Sequence, residues 1–353
     1  MTIRAGVVGA AGFAGIELVR ILCQHPEFDL CAATSNELAG KKISSVYPAF
    51  TEITDLEFVA HGDKTLDTCD VVFLAVPHTA ALKEAPPLVE RGATVVDLSA
   101  DFRLEDTAVY EEWYGVKHTA PDLLRERAFG LPELFHEGLD ALAEKRKTGA
   151  GVLVGCAGCY PTATSLAAAP VLRANLSHDG LVVVDAISGV TGAGKKASLR
   201  THFCFANENL EAYGVATHRH TPEIEQILDI PGRLIFTPHL APLNRGLLST
   251  VTIPLDSEIE FDQDKLDKLY SDFYSNKPFV KVLPRGVMPR TSSVAGSNYA
   301  HVGPVYNAKA HAVTVTCAID NIGKGAAAQG VQCANIVCGL PETCGLESAA
   351  LPV

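Results

Sequence analysis

Two short stretches of this chain carry residue types capable of covalent and proton-transfer chemistry. The first is Gly155-Cys156-Ala157-Gly158-Cys159-Tyr160-Pro161-Thr162. Proline suits the first turn of a helix, where its missing N–H costs nothing, so Cys159 falls at or just before a helix N-terminus. Unsatisfied backbone N–H groups and the helix dipole favour a thiolate there and lower its pKa. The same groups would stabilise the oxyanion formed when a thiolate attacks a carbonyl. Three other readings stand beside a nucleophile. Cys156-x-x-Cys159 could be a redox pair, although the surroundings of a thioredoxin-like motif are missing. It could be half of a zinc site, although no second Cys-x-x-Cys follows and Cys333, Cys338 and Cys344 are poorly spaced for ligation. Both could be packing cysteines, a description that suits Cys156 better than Cys159.

The second stretch is His218-Arg219-His220-Thr221-Pro222-Glu223-Ile224, again just before a proline-started helix. A thiolate nucleophile needs a group to take and return protons, and imidazole has a suitable unperturbed pKa. Either histidine could serve; on the competing reading Thr221 caps the helix and the histidines are merely nearby. Basic residues stand in loops after strand-like runs: Arg103 in Ser99-Ala100-Asp101-Phe102-Arg103, Lys195 beyond the glycine-rich stretch 189–194, and Arg245 in Pro242-Leu243-Asn244-Arg245-Gly246. Such loops are where ligands bind in parallel sheets, and guanidinium forks match carboxylate and phosphate geometry. Together they suggest a small anionic substrate.

A third pattern speaks to a cofactor. Gly9-Ala10-Ala11-Gly12-Phe13-Ala14-Gly15 sets glycines at 9, 12 and 15 between a predicted strand and a predicted helix. Glycines let backbone approach a pyrophosphate, and the helix start supplies N–H donors. Gly9, Ala11, Gly12, Phe13 and Ala14 are the expected contacts. An acidic residue closing the second strand would select the ribose 2′-hydroxyl of NAD. Here Thr34-Ser35-Asn36 stand instead, with no acid before Glu37 and with Lys41-Lys42 following. Hydroxyl and amide donors suit a 2′-phosphate, so Thr34 and Ser35 point to NADP.

These residues need a frame. Ile3–Val8, 28–33, 71–76 and 94–98 read as strands alternating with helical stretches at 16–23 and 80–91, the signature of a parallel sheet. From about residue 155 the pattern changes: strand-like runs at 182–187, 234–237, 247–253 and 313–319 have few helices between them, which predicts a mixed sheet. Helices are expected over 161–172, 262–274 and 325–337. The fold class is α/β: a Rossmann-type NADP-binding domain over 1–155, completed by the C-terminal helix at about 323–353, plus an α+β catalytic and oligomerisation domain over 156–322.

Composition narrows the classes. The 353 residues carry 29 Lys and Arg against 41 Asp and Glu, a formal charge of −12, which argues against nucleic acid as the main partner. There is no apolar run of the roughly 20 residues a membrane span needs. The N-terminus enters folded structure without a leader pattern. Ten cysteines in an otherwise apolar-rich chain read as reduced thiols of a cytoplasmic protein.

Taken as an ordered set, the motifs resemble the N-acetyl-γ-glutamyl-phosphate reductases, which are related to aspartate-semialdehyde dehydrogenase. The resemblance rests on 9–18, 99–103, Gly158-Cys159-Tyr160-Pro161-Thr162, Ser188-Gly189-Val190-Thr191-Gly192-Ala193-Gly194, 218–224, Phe236-Thr237-Pro238-His239-Leu240 and 320–329, and runs from about residue 3 to 341. It implies NADP, a nucleophile at Cys159, a general acid/base at His218 or His220, Ser188, Gly189 and Asn321 with Gly323 beside the cofactor, and a cytoplasmic enzyme of arginine biosynthesis that forms dimers or tetramers. The alternatives are an aspartate-semialdehyde dehydrogenase-like or aminoadipate-type acyl-phosphate reductase, and a dinucleotide sensor without chemistry. Ala75-Val76-Pro77-His78 departs from the expected cofactor loop, and 341–353 has no clear counterpart.

Overall fold

A computed structural model describes residues 2–351. They form two compact units: 2–157 with Ala326–Glu347, and Gly158–Gly325 with 348–351.

The first unit is built on a seven-stranded parallel sheet: β1 (Ile3–Val8), β2 (Phe28–Thr34), β3 (Phe58–Val59), β4 (Val71–Leu74), β5 (Thr94–Asp97), β6 (Ala128–Gly130) and β7 (Val152–Cys156), in the order β3-β2-β1-β4-β5-β7-β6. Central strands β4 and β5 are buried at every residue, as a sheet covered on both faces requires. Between β5 and β7 the structure adds helices at Thr107–Tyr114, Pro121–Glu126 and Pro132–Lys147. The helix Ala328–Val337 is buried along its whole length and packs on Pro132–Lys147 and β5. It starts later than the 325–337 expected. Gly323–Ala327 forms a wider turn, closed by Gly325 N donating to the Asp320 carbonyl at 2.8 Å, because glycines hold the α conformation poorly.

The second unit holds the mixed sheet: β8 (Val182–Gly189), β9 (Glu211–Ala212), β10 (Leu234–Ala241), β11 (Leu247–Pro254), β12 (Val280–Val282), β13 (Ala300–Asn307) and β14 (Ala312–Ile319), in the order β12-β13-β14-β11-β8-β10-β9. Strand β8 runs parallel to β10 and antiparallel to β11. The helix Cys159–Arg173 lies on one face against β11 and β14, buried from Tyr160 to Val171. The phenols of Tyr270 and Tyr274, from and just after the helix Gln263–Phe273, donate to its Ala167 and Leu166 carbonyls at 2.5 and 2.6 Å. The other face alternates outward: Val182, Val184 and Ala186 are buried, whereas Val183 and Asp185 are exposed. Among the described residues no helix is long and apolar enough to cross a membrane.

Candidate active site

Cys159 is the first residue of its helix, with Gly158 as the extended N-cap at φ −69°, ψ 165°. No side chain caps this start. Two contacts fix the cysteine's seat. The Gly158 N–H donates to Glu223 Oε1 at 2.8 Å. Gly325 packs on the other side: a methyl group there would stand 2.7 Å from Cys159 Cβ, so only glycine fits.

Glu223 lies in the first turn of the helix Thr221–Leu228, whose N-cap is His220. The starts of two helices are therefore joined by one hydrogen bond between a buried carboxylate and a buried amide. The Tyr160 ring stands edge-on to both histidines, at 5.6 Å from His218 and 5.9 Å from His220. The Tyr160 phenol donates to the His239 carbonyl at 2.9 Å and accepts from Tyr213 at 3.2 Å. Burial holds Tyr160 well above the usual phenol range and Tyr213 up at about 12, and the nearby Cys159 charge adds to both shifts, so both stay protonated.

The two histidines differ. The His220 N–H donates to His218 Nδ1 at 3.2 Å, which places the His218 proton on Nε2. Burial first, then the Arg219 charge, holds His218 down at about 4. His218 is thus a neutral support for the His220 backbone.

A second group of expected residues meets around Asp320 and Asn321. Asn321 accepts from Gly246 N at 2.7 Å and donates to Thr191 Oγ1 at 2.9 Å. Gly189 lies against the Leu243 and Asn244 carbonyls, where a Cβ would stand 2.9 and 3.0 Å away. The Ser188 hydroxyl donates to the Gly189 carbonyl. Arg245 is anchored through Nε to fully buried Asp320 at 2.8 Å, while Asp320 also accepts from the Gly296, Ile322 and Gly323 amides. Asp320 in turn receives Gly325 N at its carbonyl, which ties this group to the Cys159 seat. Lys195 is exposed and directly follows Gly194, which has φ +81°.

The glycine turn lies in the first unit. Gly9 has φ +84°, and a side chain there would collide with the Ala75 carbonyl. A Cβ at Gly15 would sit 2.2 Å from the Gly9 carbonyl, so the helix Phe13–Leu22 closes tightly on the turn. Gly12, the N-cap, has no close neighbour but the Gly9 carbonyl, and Phe13 and Ala14 follow with first-turn N–H groups directed out. This open, donor-rich cradle fits a dinucleotide pyrophosphate. The Tyr47 phenol donates to the Ala11 carbonyl at 2.8 Å, a long-range brace with no local signal in the sequence.

Thr34 and Arg103 are placed differently from the expectation that each touches ligand. The Thr34 hydroxyl accepts Gly9 N at 3.2 Å and bonds His61 Nδ1 at 2.5 Å, so it holds the turn. Ser35 follows it, with its N–H on the Val59 carbonyl. Arg103 is buried and donates to the Cys156 and Leu98 carbonyls at 2.6 and 2.7 Å. Its neighbour Asp101 accepts from the Thr79 and Ala81 amides and the Tyr110 phenol, capping the helix Ala81–Glu90 from outside. The 99–103 motif is thus a scaffold for the 75–80 loop, where His78 Nδ1 accepts the Ala100 N–H. Cys156 is fully buried at the end of β7, and no disulfide joins cysteines among the described residues. Those residues also hold no His, Cys, Asp and Glu cluster suited to a metal.

Comparison with known proteins agrees with this layout. Residues 4–141 match the semialdehyde dehydrogenase NAD binding domain, and 159–321 match the semialdehyde dehydrogenase dimerisation domain. The chain is 46% identical to the N-acetyl-gamma-glutamyl-phosphate reductase of Symbiobacterium thermophilum, over 99% of both chains, and 45% identical to that of Desulforudis audaxviator, over 98% of both. Aspartate semialdehyde dehydrogenase II from Vibrio cholerae shares the fold at a TM-score of 0.71 and 16% identity, over 96% of this chain and 98% of that one. An aspartate semialdehyde dehydrogenase with NADP from Candida albicans does so at 0.71 and 17%, with the same coverage. With its NAD binding domain, its dimerisation domain and its full-length likeness to named reductases, this oxidoreductase belongs to the N-acetyl-γ-glutamyl-phosphate reductase family.

Proposed function

We propose that the chain reduces N-acetyl-γ-glutamyl phosphate to N-acetylglutamate semialdehyde with NADPH, releasing phosphate, and that Cys159 is the nucleophile. The observation that carries this reading is the Gly158–Glu223 hydrogen bond, which brings the Cys159 helix start and its donors beside the His220 helix start. The Cys159 thiolate, favoured by the first-turn N–H groups, attacks the acyl carbon. The tetrahedral oxyanion expels phosphate and leaves a thioester on Cys159. Bound NADPH supplies the hydride that reduces this thioester. His220 holds a proton at the substrate oxygen in the tetrahedral state and takes it back as the aldehyde carbonyl forms and the thiolate departs.

The remaining roles follow from placement. Gly9, Ala11, Gly12, Phe13 and Ala14 cradle the pyrophosphate through backbone, and Ser35 with exposed Lys41 favours a 2′-phosphate where no carboxylate closes β2. Arg245 and Lys195 meet the substrate's anionic groups, with Asp320 fixing the angle of Arg245. Ser188, Gly189 and Asn321 shape the nicotinamide end. Arg103 acts through the backbone it braces. The open face of the second sheet, where Ile235 stands opposite Val183 in register and both are exposed, is the surface for a homodimer, or for a tetramer of two such dimers. The reaction belongs to arginine biosynthesis in the cytoplasm.

The test omits the cofactor. Incubation with N-acetyl-γ-glutamyl phosphate alone should release one equivalent of phosphate and leave an N-acetylglutamyl mass on the Cys159 peptide. Phosphate release without an adduct, or an adduct on another cysteine, would overturn the assignment.

A further inference from the structure

The first unit holds a second pair of cysteines that the reductase chemistry does not use. Cys31 Sγ and Cys69 Sγ lie 3.3 Å apart. Cys31 is in β2, and Cys69 lies two residues before β4; β1 pairs with both strands. Two features of the backbone make the encounter possible. The β1–β2 register shifts at Cys31: Ala5 pairs with Leu30 and Gly6 with Ala32, so Cys31 is the extra residue of a bulge. Bulges re-aim a side chain, and in parallel pairs they are rare. The residue opposite the bulge is Gly6, where a Cβ would stand 2.9 Å from Cys69 Sγ. Any other residue there would fill the space in which the sulfurs meet.

The two thiols are not equivalent. Cys31 is half-buried and Cys69 is buried. The hydrogen bond from Cys69 draws the Cys31 thiol down to about 7, while that same bond and burial hold Cys69 well above the usual thiol range. One sulfur is an accessible attacking group and the other a protected resolving group.

We infer that Cys31 and Cys69 form a redox-active dithiol site, oxidised by low-molecular-weight disulfides, that lowers the dinucleotide affinity of the turn following β1. The Cys31 thiolate attacks one sulfur of the small disulfide, forming a mixed disulfide and releasing one small thiolate. Cys69 then loses its proton to solvent and attacks the Cys31 sulfur, forming the Cys31–Cys69 bond and releasing the second small thiolate. The protein loses two electrons and two protons, and the small disulfide becomes two thiols. A disulfide bond of about 2.05 Å requires the sulfurs to close by about 1.2 Å. Drawing the bulge towards Cys69 shifts Gly6, three residues before the Gly9 turn.

The affinity effect rests on the first unit being the NAD binding domain; the cross-link does not, so the two can fail separately. Purified protein is treated with excess glutathione disulfide, alkylated and mapped, and NADPH binding is titrated before and after. The expected result is a Cys31–Cys69 cross-linked peptide, a severalfold weaker NADPH affinity, and recovery of both with dithiothreitol. Cys69→Ser should instead retain a glutathione adduct on Cys31, and Cys31→Ser should give neither cross-link nor affinity change. If Cys31 and Cys69 both stay alkylatable, the dithiol site is wrong. A cross-link with unchanged affinity would overturn the coupling to the cofactor turn.

Discussion

The molecule uses a helix N-terminus twice, at Phe13 and at Cys159, and the two starts differ in what stands there. At Phe13 the cap is Gly12, with Gly9 and Gly15 three residues to either side and no side chain capping the start, an arrangement suited to receiving an anion from outside. At Cys159 the first residue of the helix carries a sulfur, and its seat is clamped by Glu223 through Gly158 and by Gly325 from the far end of the unit. One device therefore serves two ends. On the proposed function, the bare start would bind a charge that comes and goes, and the substituted, clamped start would hold a charge that reacts. The difference lies in the packing around each turn.

The sharpest way to break this comparison is Cys159→Ser. Turnover should fall by on the order of a thousandfold or more, the scale at which losing a nucleophile acts, while NADPH titration gives an unchanged affinity. Joint loss of both would mean that the two starts are not separate in function. Next in size is His220→Asn, expected to cost about 100- to 10,000-fold in kcat, the range of general acid–base catalysis, and to remove one limb of the pH–rate profile. His218→Asn should keep that limb, because burial holds His218 at about 4 and neutral through the working range. The same lowering has a sign for stability. The fold favours neutral His218, so its contribution is complete above the unfolded value near 6.5 and is lost as pH falls towards 4. A limb that vanishes in His218→Asn would exchange the two roles.

Gly325→Ala tests the clamp. Its methyl would press on Cys159 Cβ at 2.7 Å, and a displacement near 1 Å can cost about 100-fold in rate, so turnover should drop steeply while cofactor binding persists. Gly15→Ala is the reciprocal change, with a Cβ 2.2 Å from the Gly9 carbonyl. NADPH should bind about tenfold more weakly, a loss near 1.4 kcal/mol, while iodoacetamide labels Cys159 at the wild-type rate. Slowed labelling in that variant would blur the separation.

The sequence made the linear signals legible. Gly9, Gly12 and Gly15 between a strand and a helix, Cys159 before Pro161, and His218-Arg219-His220 before Pro222 each announce local structure through neighbours in the chain. What stayed hidden depends on partners distant in sequence. Thr34 reads as a ligand until its hydroxyl is found on Gly9 and His61, and Arg103 until its donors are found on Leu98 and Cys156. Glu223 carried one usable sign, a carboxylate in a helix's first turn, but its target Gly158 is set by tertiary packing. Gly325 gave none beyond being a glycine near a helix start. The difference between His218 and His220 is likewise one of burial, which two adjacent imidazoles in a motif do not reveal.

The reaction proposed for this chain exchanges hydride and phosphate at the γ-carboxyl carbon of an N-acetylated glutamate. The most direct measurement is NADPH formation from N-acetylglutamate semialdehyde and NADP, with and without inorganic phosphate, beside aspartate semialdehyde under the same conditions. Rapid, phosphate-dependent turnover of the N-acetylated substrate is expected, with little from aspartate semialdehyde. Equal or faster turnover of aspartate semialdehyde, or none with either, would contradict the proposed reaction.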